Sequence, residues 1–182
     1  MHRKGFTLIE LLAVLAVLTI TVGFGYPQLA HFIQKIKASS ATNGLLNIIN
    51  FTRIQAVTGG KAITLCPTPD GITCTSNWDN TLYVFSDTNW NKKIDANETI
   101  YRVQERNINY QLVWKGWGGQ YYLRYQPDGT TYRQNGTFTL CTENKEYIRA
   151  IIINRGGRPL VARDANNDGI IELPENKTPL CS

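Results

Sequence analysis

The sequence predicts an α+β chain in which one long N-terminal α-helix packs on an antiparallel β-sheet head. Three observations carry that reading. An apolar run from Phe6 to Tyr26 holds a single charge, Glu10. Apolar residues then recur at helical spacing as far as Thr58. Beyond Gly59-Gly60 the pattern breaks into short runs rich in Ile, Val, Tyr, Phe and Thr, separated by turn residues.

The first run would make a helix about 30 Å long at 1.5 Å per residue, enough to cross the hydrocarbon core of a bilayer. A secretory signal fits poorly, because the run exceeds the usual h-region and no clear small-residue cleavage site follows it. An acidic side chain at mid-membrane costs roughly 3 kcal/mol. Glu10 therefore needs either the headgroup region or a cationic partner.

Pro27 is expected to kink the helix or sit in a loosened turn. Leu29, Phe32, Ile33 and Ile36, then Ala41, Leu45, Ile48, Ile49 and Ala56, continue a stripe that would pack on a domain. Gly59-Gly60 ends it. The chain thus divides into a span over 6–27, an amphipathic helix over 28–58 and a β-rich head over 59–182.

In the head, strands are expected at 62–66, 82–86, 99–103, 108–114, 121–125, 137–141 and 148–154. Between them lie Pro69-Asp-Gly71, Lys115-Gly-Trp-Gly-Gly119, Pro127-Asp-Gly129, Asn135-Gly136 and Gly156-Gly157. Such an order of elements is that of one helix against one antiparallel sheet.

The formal charge is +5, from 19 Lys and Arg against 14 Asp and Glu. That mild excess does not by itself imply a nucleic-acid partner. Four cysteines, Cys66, Cys74, Cys141 and Cys181, lack C-x-x-C spacing, which argues against zinc. In an oxidising compartment they would form two disulfides. Of the three pairings, Cys66–Cys74 would close a Pro/Gly-containing loop and Cys141–Cys181 would tie down the C-terminal end; this is the pairing we favour.

The start of the chain carries a specific resemblance. Gly5-Phe6-Thr7-Leu8-Ile9-Glu10, behind a short basic leader, resembles the processing motif of type IV pilins and type II secretion pseudopilins. The resemblance implies that a prepilin peptidase removes residues 1–5 by cutting after Gly5, and that Phe6 is then methylated. It implies that Glu10 pairs with an N-terminal amine as subunits join a filament. Loss of the leader would remove Arg3 and Lys4, leaving 17 Lys and Arg against 14 Asp and Glu, or +3.

The head resembles the GspH/FimT group of minor pilins and pseudopilins. Cys66-Pro, Cys74, Trp78 and Leu82-Tyr-Val-Phe-Ser-Asp-Thr-Asn89 carry that likeness, as do Gln126-Pro-Asp-Gly129 and Asn135-Gly-Thr-Phe-Thr-Leu-Cys141. Its cysteines and Pro-Asp-Gly run bring it nearer the pilus members than the secretion members. The implied role is that of a structural and priming subunit of a type IV pilus, supporting biogenesis and twitching motility. The implied location is the bacterial inner membrane, by a single span, and then the pilus in the periplasm and at the cell surface. Its partners would be other major and minor pilins.

Catalysis is not expected, nor is a required cofactor. His2 lies in the leader and His31 in the amphipathic helix, so no Ser/His/Asp or Cys/His constellation can be built. Asp164, Asn166, Asp168, Gly169, Glu172 and Glu175 lie in a stretch that fits the spacing of a calcium loop, in which alternating oxygens wrap Ca²⁺ around a glycine turn. Asp87, Asn89, Asn91, Asp95 and Glu98 echo it with Lys92 in place of the glycine. The competing reading is that both are Asn/Asp turns held by side-chain-to-backbone hydrogen bonds.

Some FimT-type pilins are DNA receptors for natural transformation, through a Gly-Arg-x-Arg element. Gly157-Arg158-Pro159-Leu160 keeps its first half only. Arg155, Arg158 and Arg163 are the candidate DNA contacts, with Asp164 and Asp168 close enough in sequence to weaken the field. A solvated loop is the preferred reading there. Strand packing and loop anchoring are likewise preferred for Trp114, Trp117, Tyr121, Tyr122 and Tyr125 over stacking on bases.

Overall fold

The computed structural model describes residues 7–105, 110–119, 121–141, 148–164, 171, 173 and 181, with the backbone alone at 24 and 27. Helix α1 runs without a break over Leu8–Gly59. Thr7 begins it: its hydroxyl accepts the amide hydrogen of Glu10 at 3.3 Å. Thr7 is thus an N-cap, and Thr7-Leu-Ile-Glu10 has the spacing of a capping box, a signal available in the sequence and independent of any processing role. The other end stops at Gly59, where Gly60 takes φ +61°, the left-handed value that closes a helix.

The chain forms two compact units, Met1–Lys37 and Ala38–Ser182. In the first, the helix exposes its apolar side chains all round. Leu8, Ile9, Val17 and Val22 are each more than half exposed, as are Leu29, Phe32 and Ile36 further along. An 18-residue window here has mean hydropathy 2.3 with none of it buried, so the helix is long and apolar enough to cross a membrane. The expected apolar stripe therefore has no cover at Leu29, Phe32 and Ile36, and becomes a packing surface only from Ala38 onward.

In the second unit, Ala38, Thr42, Leu45, Ile48, Ile49, Thr52 and Ala56 form the buried face, at spacings of three and four. The two threonines sit there because their hydroxyls donate back to the carbonyls of Ala38 (2.8 Å) and Ile48 (2.7 Å). Each buried Leu or Ile contributes roughly 1.5–3 kcal/mol to holding the helix on the head.

Eight strands follow: β1 Ile63–Pro67, β2 Leu82–Phe85, β3 Ile100–Gln104, β4 Gln111–Gly116, β5 Leu123–Tyr125, β6 Gly136–Cys141, β7 Arg149–Ile153 and β8 Pro159–Val161. They form two antiparallel four-stranded sheets rather than one, in the orders β3-β2-β1-β5 and β4-β6-β7-β8. β1 is fully buried and pairs on both sides, Leu65 opposite Val84 and Leu123. In the second sheet Trp114 lies opposite Phe138, and Phe138 opposite Ile151.

One core joins the helix to both sheets. Leu45, Ile48, Ile49 and Ala56 meet Ile63, Leu65 and Val84 of the first sheet and Trp114, Phe138 and Ile151 of the second. Trp78 enters it from a loop, its ring 4.8 Å from Phe138 in an edge-on contact. β8 escapes a sequence reading because it is three residues long and begins at a proline, which only an edge strand accepts.

The turn inside the first disulfide loop is tied by Asp70. Its Oδ1 accepts from the amides of Ile72 and Thr73, both at 2.9 Å, and from the Thr68 hydroxyl at 2.7 Å. These bonds, that from Thr73 first, hold its carboxyl down from 3.8 to about 2. A depressed native value means stability that is complete above the ordinary carboxylate range and is lost as pH falls toward 2. Comparing urea midpoints at about pH 6 and about pH 2.5, wild type is expected to lose more than Asp70→Asn; equal losses would contradict this.

Candidate functional site

The residues expected to carry processing and assembly lie at the start of α1. Gly5 and Phe6 lie outside the described residues; Glu10 is on the first helical turn and exposed, among apolar side chains that are exposed as well. An uncovered carboxylate amid uncovered apolar surface suits a helix that is completed by partners rather than by its own chain.

Both cystine bridges lie on the head. Cys66 joins Cys74 and Cys141 joins Cys181, with no free cysteine among the described residues. The first is packed beside Phe85, Tyr83, Ile94 and Tyr122.

Of the calcium-loop candidate at 164–175, Asp164 is described, and Asn166, Asp168, Glu172 and Glu175 lie outside the described residues. The 87–98 loop is fully described and is held by its own hydrogen bonds. Asn89 and Asn91 both donate their amides to Asp95 Oδ2 at 2.8 Å. Glu98 accepts from the Thr88 amide at 2.7 Å and the Asp95 amide at 3.3 Å. Asp87 accepts from the Lys92 amide at 3.2 Å and forms an ion pair with Arg124, both side chains being buried. Among the described residues no three His, Cys, Asp or Glu side chains gather as a metal cluster. The guanidinium of Arg124 supplies the positive charge that the loop's first carboxylate needs.

The arginines at the C-terminal side are exposed. Arg155 and Arg158 lie on the β7–β8 turn and Arg163 beyond the end of β8. Gly157, the first residue of the half-motif, is explained by packing. Its φ is +73°, and a Cβ there would come within 2.1 Å of the Gly129 carbonyl oxygen. The Tyr125 hydroxyl donates to the Gly157 carbonyl at 3.0 Å, and burial pushes that phenol well above its ordinary range. Arg53 of α1 donates to the Gly129 carbonyl at 3.0 Å. The Pro127-Asp-Gly129 turn is therefore a clasp between helix and sheet. Gly157→Ala is expected to lower the thermal midpoint of the full chain in detergent by well over 5 °C, whereas Arg158→Ala leaves it within about 2 °C. An unchanged midpoint for the glycine variant would show that the two turns do not pack this way.

The aromatic expectation divides. Trp114 and Tyr125 are buried, as packing residues should be, but Trp117 is 72% exposed and Tyr121 50%. Two further exposed rings, Trp90 and Tyr132, escaped the sequence reading; folding brings Trp90 to Arg124, 4.8 Å from its guanidinium, and both rings to one pocket.

A long capped helix, apolar and bare in its first part and buried on an antiparallel β head in its second, is the architecture of pilin-type subunits. The sequence matches two family models: the prokaryotic N-terminal methylation motif over residues 1–26 and the type II transport protein GspH over residues 41–157. The chain belongs to the GspH family, and is a minor pilin or pseudopilin of the type IV pilus or type II secretion kind. The head and helix resemble two crystal forms of the type IV minor pilin FimU of Pseudomonas aeruginosa. One aligns with TM-score 0.53 at 19% identity, over 78% of this chain and 96% of FimU. The other aligns with TM-score 0.54 at 18% identity, over 81% and 96%. Likeness at that identity speaks for the fold. Among curated proteins none matches significantly.

Proposed function

We propose that the chain is a minor structural subunit of a type IV pilus, which primes or joins a filament through its N-terminal helix. A prepilin peptidase cuts after Gly5, Phe6 is methylated, and the mature helix waits in the inner membrane as a single span. Other major and minor pilins then cover its apolar surface, and Glu10 meets an N-terminal amine in a medium where an unpaired carboxylate is unfavourable. The head faces other minor pilins, and the filament so built supports twitching motility. No catalytic step is assigned to it.

The observation that carries this reading is the bare apolar helix headed by Thr7 and Glu10. Glu10→Ala is expected to abolish recovery of the subunit in sheared filaments while leaving leader removal intact. Normal incorporation of that variant would refute the role given to Glu10.

A second reading, a pseudopilin of a type II secretion system, is favoured by the family description itself, which is of a type II transport protein. Deletion of the gene separates the two: loss of surface pili and twitching supports the first, and loss of protein secretion with pili intact supports the second.

A further inference from the structure

A pocket of about 240 Å³ opens on the head beside β5. Trp90 and Tyr132 line it with rings 50% and 61% exposed, and Tyr122 lines it half-buried. Arg124 and Arg133 bring guanidinium groups and Gln126 an amide, and no lining residue is acidic.

The Arg124 side of the pocket is fixed in advance. Arg124 is tied to Asp87 and to the Thr64 hydroxyl (3.0 Å), and its guanidinium lies 4.8 Å from the ring centres of both Trp90 and Tyr122. Three non-glycine residues among those described have left-handed backbone: Trp90 (φ 63°), Lys92 (φ 63°) and Arg133 (φ 54°). Two of them line this pocket, and the third places its ammonium 5.6 Å from the Tyr122 ring centre. Such conformations are unfavourable for bulky side chains and concentrate where a fold holds a ligand-binding surface.

The charges narrow the ligand. Arg124 is neutralised by Asp87, whereas Arg133 meets the Tyr132 ring at 5.4 Å and no carboxylate among the described residues. A guanidinium in that position suits a carboxylate. Exposed indole and phenol faces suit the C–H face of a pyranose, and the volume, below the 300–1,000 Å³ or so of drug-sized sites, suits one ring. A nucleic-acid strand needs a track of cations, and this pocket offers Arg133 alone beside the paired Arg124.

We propose that this pocket binds a single acidic sugar residue, its carboxylate on Arg133 and its ring against Trp90 or Tyr132. The test is isothermal titration of the full chain in a non-glycosidic detergent. N-acetylneuraminic acid and glucuronic acid serve as probes for the two kinds of acidic ring, galactose as the neutral control and a ten-residue oligothymidylate as the polyanion control. Saturable binding of either acid is expected, at least about tenfold tighter than galactose and weakened at least about tenfold in both Arg133→Gln and Tyr132→Ala. These are exposed positions, and an unchanged thermal midpoint checks that each variant folds. No binding of either acid at about 10 mM overturns the proposal. So does equal binding of galactose, undiminished binding by the variants, or an oligothymidylate that binds and displaces the sugar.

Discussion

Arg124→Ala is expected to destabilise the head by roughly 3–5 kcal/mol, because it strands a carboxylate in the interior. Asp87 is fully buried, and its Oδ1 already has no hydrogen-bond partner. Without the guanidinium, its other oxygen would keep only the Lys92 amide. Trp90 and Tyr122 would also lose the cation between them. Removing both charges is a different matter: Asp87→Leu with Arg124→Met leaves no buried ion unpaired, and is expected to recover much of the loss. Denaturant midpoints of the two single variants and the double variant, in the full chain in detergent, check this. A double variant as unstable as the sum of the singles would show that the pair is not a coupled unit.

Removing the Cys141–Cys181 bridge is the second large effect. Its partners are 40 residues apart, and on the chain-entropy account closing such a loop is worth roughly 4 kcal/mol. Cys66 and Cys74 are 8 apart, worth roughly 2.5 kcal/mol on the same account. Cys141→Ser with Cys181→Ser is therefore expected to cost more than Cys66→Ser with Cys74→Ser. The long bridge also returns the chain's last residues to the end of β6, a central strand of its sheet. Equilibrium unfolding of the two double variants under the same oxidising conditions gives the order, and the reverse order would contradict it.

Much of this architecture was legible in the residues, since helix and strand leave different periods. The burial of Leu45, Ile48, Ile49 and Ala56 follows from spacing alone, and seven of the eight strands from apolar runs between turn residues. Division into two sheets was not legible. It depends on β1 choosing β5, with three strands between them in sequence, while β4 chooses β6. The Asp87–Arg124 pair was hidden for the same reason: its members are 37 residues apart and neither lies in a motif that names the other. At Asp87 a calcium loop and an Asn/Asp turn share their spacing and differ in what faces the carboxylate, which here is the Arg124 guanidinium. Gly157 shows the converse, a residue that suggested a nucleic-acid element and is required by the approach of the Gly129 carbonyl.

Entry into a filament through the N-terminal helix is tested most directly at the mature N-terminus. Filaments sheared from the surface of cells expressing the chain should contain it, and intact-mass and fragment spectra should show Phe6 as the first residue, carrying one N-methyl group. A chain recovered in those filaments with Met1 through Gly5 still attached would contradict that role. So would a processed chain that is never found in them.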